Sequence, residues 1–331
     1  IHEEVGKPSP AQKGFDIQLT IEARAQHIAE KLLSGKSGAM IVMDASSGAI
    51  IAMASSPGFD PSLFVPKISS FEYARLLKEP GNPFVNKCTM GSYMPGSIIK
   101  PLVAISALEN NLSPDDTVVC DGATPVANTR IRCASWKSGG HGSVVMKHAI
   151  ERSCNDYFIE TGLKLGLEKL SRTFSSAGIG SPTGFALAER SGRLPSRDSN
   201  PKWNIFDTAL ISIGQGQVEI TPIQAVTYTA AIANGGIIWR PYILKQIMDS
   251  SANVMHPTIP EKKSHLDAAP ESIATVQEGM RLAVNSSTGS AKNARNSKIE
   301  LCGKTGTAEI GPIGARYKNT WFIAFGKDVK T

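Results

Sequence analysis

The spacing of apolar positions along the chain changes from a helical to a strand-type period. In residues 20–35 one helical face collects the apolar side chains Ile21, Ala25, Ile28, Leu32 and Leu33. This spacing predicts an amphipathic helix that Thr20 caps and Gly35 ends. Residues 39–55, AMIVMDASSGAIIAMAS, hold two strand-type runs around a Ser-Ser-Gly turn, and this arrangement predicts a β-hairpin.

The middle of the chain is predicted to be mostly helical, and the end to be strand. Residues 221–236, TPIQAVTYTAAIANGG, combine a Thr cap, Pro at the first helical position, a Gln that closes a capping box, and an Asn-Gly end. Residues 297–309 and 319–325 are again of strand type. Strands near both ends with helices between them predict an α+β fold, with one antiparallel sheet closed by distant segments.

The domain organisation is predicted from changes in composition. Residues 1–18 are polar and interrupted by Pro and Gly, so we expect a linker or the remnant of an N-terminal pedestal domain there. Residues 19–331 are predicted to form one globular unit. The sequence has no run of roughly 18 apolar residues, so any membrane anchor is expected upstream of the chain.

Composition limits the classes of function. Of the 331 residues, 41% are hydrophobic and 19% are charged, which is typical of a folded protein. The net charge is +6, the basic residues are scattered and only 6% of residues are aromatic. These values disfavour a nucleic-acid groove and fit an anionic small substrate or an anionic membrane surface. The sequence has five cysteines, which are too few for a disulfide framework and cannot all pair because their number is odd.

Residues 94–101, MPGSIIKP, place a hydroxyl and an amine where a helix is predicted to begin. Pro101 lacks a backbone N–H, so a helix tolerates it only in the first turn. Ser97 and Lys100 are three residues apart and would therefore share a helix face. Taken alone, this pattern favours a serine helix cap with a solvated lysine over a catalytic pair, because such tetrapeptides occur by chance.

Two later segments change that balance. RSCNDYF holds Ser153 and Asn155, and LCGKTGTAE holds Lys304 followed by Thr305 and Gly306. Ser-x-x-Lys, Ser-x-Asn and Lys-Thr-Gly in this order are typical of penicillin-interacting serine enzymes. The chain resembles the transpeptidase domain of class B penicillin-binding proteins, from about residue 15 to its end. The Gly-His-Gly element and FALAERSGRLPSR are most similar to the elongation-type members.

The resemblance implies a fold and an activity. The expected fold is the penicillin-binding, serine-transferase fold, in which an antiparallel sheet is flanked by helices and joined by a helical subdomain. In the family the sheet continues after WFIAF with another strand and a helix, so we expect a truncated C-terminus. The implied activity is a peptidoglycan D,D-transpeptidase that needs no cofactor for catalysis and is acylated by β-lactams.

The resemblance also implies a role for each motif residue. Ser97 would attack the D-Ala-D-Ala bond, Lys100 would act as the base, and Ser153 would relay the proton to the leaving amine. Burial and a second ammonium at Lys304 are expected to lower the pKa of Lys100. The substrate-binding residues would be Asn155, Lys304, Thr305, Gly306 and Thr307. The backbone N–H groups of Ser97 and Thr307 would form the oxyanion hole.

Other functions remain open at this point. A D,D-carboxypeptidase differs only in using water as acceptor, and a β-lactamase or a β-lactam sensor shares the three motifs. The E-x-x-L-N loop of class A β-lactamases is absent from the sequence. A phosphate-binding loop ending at Gly303-Lys304-Thr305 would need a glycine where Lys298 stands.

The family also suggests partners and a location. The expected partners are peptidoglycan stem peptides, β-lactams and a membrane glycan polymerase of the elongation machinery, with no nucleic acid. The expected location is the extracytoplasmic, periplasmic face of the bacterial inner membrane.

A separate hypothesis concerns a metal. Cys120, Cys133, His141 and Cys154 lie within 35 residues, and three cysteines with one histidine are a standard structural zinc set. Their irregular spacing leaves two alternatives: a Cys120–Cys133 disulfide, or a buried Cys154 with His141 in a turn.

Overall fold

The computed structural model describes residues 13–311 and 317–328. Its α-helices are α1 (Ala23–Leu33), α2 (Ser70–Lys78), α3 (Lys87–Met90), α4 (Lys100–Leu108), α5 (Met146–Arg152), α6 (Asn155–Ser176), α7 (Ile205–Ile211), α8 (Pro222–Asn234) and α9 (Pro270–Asn285). Its strands are β1 (Asp16–Leu19), β2 (Gly38–Met43), β3 (Ile50–Ser56), β4 (Val118–Cys120), β5 (Ala123–Val126), β6 (Thr129–Arg132), β7 (Gly142–Val144), β8 (Ile237–Trp239), β9 (Leu244–Met248), β10 (Val254–Pro257), β11 (Lys262–His265), β12 (Ile299–Ile310) and β13 (Tyr317–Asp328). This mixture of helices and antiparallel strands is the predicted α+β class.

The strands pair in small antiparallel sheets. β2 pairs with β3 and β12 with β13, which confirms both predicted strand regions. A sheet of β1, β9 and β10 joins segments more than 200 residues apart in sequence. Within the described ranges the remaining pairs are β8 with β11, β4 with β7 and β5 with β6. The expectation of one closed sheet is therefore wrong in this detail, because β2–β3 and β12–β13 share no ladder hydrogen bonds in that part of the chain.

The hydrophobic core surrounds α4. Every residue of α4 from Lys100 to Ala107 is buried, because this short helix is apolar on nearly all sides. The facing side chains come from α6, α8 and α9, and they include Phe158, Tyr228 and Met280. Tyr228 donates a 3.0 Å hydrogen bond to the carbonyl oxygen of Ile98 inside this core. The start of α4 is thereby fixed deep in the molecule.

One predicted helix is confirmed in full, and the predicted start of another is wrong. α8 is confirmed in full: Thr221 and Gln224 form the capping box, and Gly235 ends the helix with φ 88°. The first helix begins at Ala23, so the prediction that Thr20 caps it is wrong. The N-cap position is Glu22, two residues further on, and the Thr20 hydroxyl instead donates to the Ile50 carbonyl oxygen of the neighbouring strand at 2.6 Å.

The N-terminal boundary remains a prediction. Residues 1–12 of the expected linker lie outside the described residues, whereas β1 starts at Asp16, before the predicted boundary at residue 19. Residue 331 and the two before it are also outside the described ranges. Throughout the described residues, each helix is too short or too polar to cross a bilayer.

Candidate active site

The first motif lies at the entrance of α4. Residues Gly96–Ile99 form a 3₁₀ turn, and the α-helix follows from Lys100, with Pro101 in its first turn as predicted. The N-cap positions of the turn and of the helix are Pro95 and Ile99, so the interpretation of Ser97 as a cap is wrong. Lys100 is completely buried, so the solvated-lysine interpretation is also wrong. Ser97 itself is partly exposed at the surface of the turn.

The second motif lies at the junction of two helices. Ser153 ends α5 in the left-handed conformation, with φ 56° and ψ 42°, and Asn155 begins α6. A non-glycine residue in this region is strained, and such strain persists only where the surroundings hold it. The backbone N–H of Ser153 donates to the carbonyl of Ile150 at 3.2 Å. This sharp turn carries the Ser153 hydroxyl and the Asn155 carboxamide toward α4.

Lys100 binds both residues of the second motif. Its Nζ donates to Asn155 Oδ1 at 2.7 Å, to the Ser153 carbonyl at 2.8 Å and to Ser153 Oγ at 3.3 Å. These three acceptors match the three donors of an ammonium group. Among the described residues, Ser97 is not a hydrogen-bond partner of Lys100. Lys100 thus joins the first and second motifs.

Lys304 of β12 completes the cluster from the third motif. Its side chain is fully buried, and its Nζ donates to Ser153 Oγ at 2.7 Å and to the Thr305 carbonyl at 3.0 Å. The Ser153 hydroxyl oxygen therefore accepts from two lysine amines, Lys100 and Lys304. A hydroxyl oxygen has two lone pairs, so its own O–H remains a donor toward the surface of the site.

Burial shifts both lysines toward their neutral forms. Desolvation lowers the pKa of Lys100 from 10.5 to about 8, although negative charge at the nearby cysteines and Asp156 opposes the shift. The pKa of Lys304 is lowered well below 10.5, by burial first and by repulsion from Lys100 second. The expected lowering of the Lys100 pKa is present, but the repulsion between the two lysines lowers the pKa of Lys304 and not that of Lys100.

The third motif forms the wall beside the Ser97 turn. Gly306 lies against this turn, because a Cβ at Gly306 would stand 2.7 Å from the Pro95 carbonyl oxygen and 3.1 Å from the Ile98 nitrogen. Gly96 crosses β12 at Thr307, and a Cβ there would stand 2.6 Å from the Thr307 carbonyl oxygen. Gly96 also has φ 55°, a conformation that favours glycine. Thr305 is partly exposed and Thr307 is exposed.

The four predicted metal-ligating residues converge beside the second motif. The three Sγ atoms and one imidazole nitrogen of Cys120, Cys133, His141 and Cys154 all lie within 4.8 Å of one another. His141 Nδ1 is 3.5 Å from the Sγ atoms of both Cys120 and Cys133. The predicted alternative of a Cys120–Cys133 disulfide is not present, because both cysteines are free.

This cysteine cluster contacts Asn155 directly. The Asn155 backbone N–H donates to Cys133 Sγ at 3.3 Å, and its side-chain amide donates to the Arg132 carbonyl at 2.8 Å. A hydrogen bond from the Cys154 thiol lowers the pKa of Cys133 to about 3, and the same pairing raises the pKa of Cys154. A low thiol pKa favours the thiolate, which is the form that binds metals.

Two residues near the site, Glu151 and Gln215, were not assigned a role from the sequence. Glu151 is buried, and its carboxylate accepts from His148 Nδ1 and Thr288 Oγ1 at 2.6 Å each and from the Ser286 hydroxyl. Gln215 donates from Nε2 to the Thr307 carbonyl at 3.3 Å. The Gly-Gln-Gly segment is visible in the sequence, but a contact across 92 residues has no local pattern.

Comparisons with known proteins agree with this geometry. The family model described as "Penicillin binding protein transpeptidase domain" matches residues 38–330. The chain is 33% identical to the peptidoglycan D,D-transpeptidase MrdA of Haemophilus influenzae over 96% of its own length and 52% of that protein. The chain thus spans about half the length of this curated relative.

Solved structures give the same result. A Pseudomonas aeruginosa PBP2 in complex with WCK 5153 is 33% identical with a TM-score of 0.84, covering 94% of this chain and 71% of that one. A Helicobacter pylori PBP2 in complex with MreC is 31% identical with a TM-score of 0.81, covering 93% of this chain and 57% of that one. The chain therefore belongs to the family of penicillin-binding protein transpeptidase domains.

Proposed function

We propose that the chain is the catalytic domain of a peptidoglycan D,D-transpeptidase of the elongation type. One observation carries the proposal: two buried lysines from distant segments, Lys100 and Lys304, both donate to the hydroxyl of Ser153. A purely structural serine has no need of two buried amines, because burying such groups is costly. The relatives named as peptidoglycan D,D-transpeptidases support the same reaction.

The first half of the proposed reaction is acylation of Ser97. Ser97 Oγ forms a bond to the carbonyl carbon of the D-Ala-D-Ala peptide, and its proton passes to neutral Lys100. The carbon–nitrogen bond then breaks, and the leaving D-alanine takes a proton through Ser153. Backbone N–H groups of Ser97 and Thr307 stabilise the oxyanion, and one such donor is typically worth about 3 kcal/mol.

Substrate binding is assigned to the remaining motif residues. Lys304 and Thr305 hold the terminal carboxylate, since a carboxylate returns Lys304 to its charged form. Asn155 holds a substrate amide, because Lys100 and the Arg132 carbonyl already fix its carboxamide. Gly306 leaves space for the Ser97 turn against β12.

The second half of the reaction transfers the acyl group to an amine. The amine attacks the ester carbonyl, the Ser97 oxygen leaves and recovers its proton, and a new peptide bond joins two strands. A D,D-carboxypeptidase would use water at this step. Incubating the protein with a D-Ala-D-Ala pentapeptide and an amine acceptor separates the two, because transpeptidation yields the amide product and carboxypeptidation only the shortened acid.

The nucleophile is tested by labelling with a fluorescent penicillin followed by peptide mapping. We expect the label on the peptide that contains Ser97, no label on Ser97→Ala, and unchanged labelling of the surface control Ser62→Ala. The label should persist for hours, whereas a β-lactamase would release it quickly. A label on another serine, or a labelled Ser97→Ala variant, would contradict the assignment.

We also propose that the cysteine cluster holds a structural zinc ion, which catalysis itself does not use. A tetrahedral zinc with bonds near 2.3 Å to sulfur and 2.0–2.1 Å to nitrogen places these ligand atoms about 3.5 Å apart. That value matches the distance from His141 Nδ1 to the Sγ atoms of Cys120 and Cys133. The bound ion would tie the loop that carries His141 to Cys154, between the two residues of the second motif.

Elemental analysis of protein purified without added metal tests the zinc proposal. We expect about one zinc per chain, all five cysteines free in a thiol count under denaturing, non-reducing conditions, and loss of zinc in His141→Ala. His256→Ala, at an exposed histidine of β10, should keep the metal. A Cys120–Cys133 disulfide, or metal-free protein with full β-lactam reactivity, would refute it.

For partners and location, we infer a membrane glycan polymerase and the extracytoplasmic face of the inner membrane. The structural neighbour solved with MreC supports an assembly of the elongation type. Purification of the protein with its natural upstream residues from detergent-solubilised membranes tests the inference. We expect co-purification of a polymerase active on lipid-linked disaccharides, and recovery from the soluble fraction alone would contradict it.

A further inference from the structure

β12 presents an edge to the active site that no other strand fills in the described ranges. Its ladder partner is β13, with Thr305 opposite Phe322 and Thr307 opposite Thr320. In an antiparallel ladder, alternate residues direct both backbone groups toward the partner and the residues between them direct both away. The Thr305 carbonyl accepts from Lys304 Nζ and the Thr307 carbonyl from Gln215 Nε2, both outside the ladder.

Thr305 and Thr307 are therefore the residues whose backbone groups point away from β13. An extended peptide that adds to this edge finds hydrogen-bond partners at these two residues. Its N–H nearest the reacting carbonyl would donate to Thr307, the same residue whose N–H faces the oxyanion. In the described structure that Thr307 carbonyl is already occupied by the Gln215 carboxamide.

Gln215 is held in place by its backbone while its side chain remains partly exposed. Its own N–H donates to the Leu210 carbonyl at 2.9 Å, and the Gly96 N–H donates to the Gly214 carbonyl at 2.8 Å. Gly214 has φ 76°, and a Cβ there would overlap the Gly96 carbonyl oxygen. The Gln215 backbone is thus fixed relative to the Ser97 turn, whereas its side chain is partly exposed.

We propose that Gln215 is a specificity-determining residue that occupies the Thr307 carbonyl in the free protein and yields it to a ligand N–H. This inference rests on the proposed function and adds a selection step to it. A ligand with an amide N–H at the correct position replaces one hydrogen bond with another. A ligand without that N–H gains nothing from displacing Gln215, because it offers the carbonyl no donor in return.

The experiment compares two β-lactams on the wild type and on Gln215 variants. Benzylpenicillin carries an amide N–H next to its ring, and penicillanic acid carries only hydrogen there. The measurement is the second-order rate of Ser97 acylation. We expect Gln215→Ala to raise the rate with benzylpenicillin about three- to tenfold, the range of one neutral hydrogen bond. The penicillanic acid rate should stay within about twofold, because this ligand offers the Thr307 carbonyl no donor at that position.

Two further variants distinguish the loss of the Gln215 donor from a general structural effect of the substitution. Gln215→Met keeps the length of the side chain but cannot donate, so it should behave as Gln215→Ala does. Gln246→Ala removes a glutamine of β9 that bonds to Gln18 and should change neither rate. An equal change with both β-lactams, which leaves the ratio of the benzylpenicillin rate to the penicillanic acid rate at its wild-type value, would overturn the inference. Failure of the wild type to acylate at Ser97 would instead refute the proposed function.

Discussion

The rate of Ser97 acylation should rise about tenfold between pH 7 and pH 9, because Lys100 must be neutral to act as a base. Burial lowers the pKa of Lys100 to about 8, so about 9% is neutral at pH 7 and about 91% at pH 9. A lysine with the ordinary pKa of 10.5 would instead give a rise of about a hundredfold over the same interval. The rise in acylation rate between pH 7 and pH 9 therefore measures how far burial lowers the pKa of Lys100.

Replacing Lys304 tests which lysine carries the charge. The sequence alone predicts that losing Lys304 displaces the pH profile upward, because a neighbouring positive charge disappears. In the structure, burial and then repulsion from Lys100 lower the pKa of Lys304 well below 10.5, whereas Lys304 is not among the causes that shift the pKa of Lys100. Lys304→Met, which keeps the buried volume, should therefore leave the midpoint near 8 while weakening carboxylate binding.

The assay is the second-order acylation rate with fluorescent penicillin from pH 6 to pH 10. Lys100→Ala is the reference for loss of the base, and it should lower the rate about 10²–10⁴-fold and remove the rise with pH. A Lys304→Met midpoint one unit or more above the wild-type value would refute the reasoning, because it would mean that Lys304 is charged near neutrality.

Two further predictions concern residues that hold the site. Burial alone would raise the pKa of Glu151. Hydrogen bonds from Ser286, Thr288 and His148 outweigh burial, so the pKa of Glu151 is lowered. Its stabilising contribution is therefore present above the unfolded pKa and lost as pH falls through the folded pKa. Urea unfolding should show Glu151→Gln less stable by about 1.5–3 kcal/mol at pH 7 and by less at pH 3, and an equal loss at both would contradict this. Gly214→Ala should slow Ser97 labelling and lower the free energy of unfolding. Its control is Gly178→Ala, at a glycine with a similar positive φ but open space around it, which should lose only about 1–2 kcal/mol of stability. Gly214→Ala should lose more. Equal behaviour of the two alanine variants in unfolding and labelling would show that the contact with Gly96 is unimportant.

Local chemistry explains the parts of the fold that could be predicted. The β2–β3 hairpin and α8 follow from turn residues, capping residues and periodicity within a few positions of each other. The first helix shows where local rules fail. Thr20 is a good cap by residue type, but a carbonyl of the neighbouring strand competes for its hydroxyl. The exposed Ile28 and Leu32 show likewise that helical spacing does not fix which face is buried.

The order of three short motifs was enough to identify the family and the residues that carry the proposed chemistry. No sequence pattern could assign Glu151 or Gln215, because the Ser286 partner of Glu151 and the Thr307 partner of Gln215 lie 135 and 92 residues away. The four candidate metal ligands were visible as residue types, and their convergence within 4.8 Å is a property of the folded chain.

The sequence by itself determined the β2–β3 hairpin, α8, the family and the identity of the lysines, since these depend on residue type and short spacing. Only the tertiary structure decided the charge of those lysines. Lys100 and Lys304 are 204 positions apart, yet both are fully buried and donate to one hydroxyl. Desolvation and repulsion act through space, so the pKa values that govern the proposed reaction exist only in the folded protein.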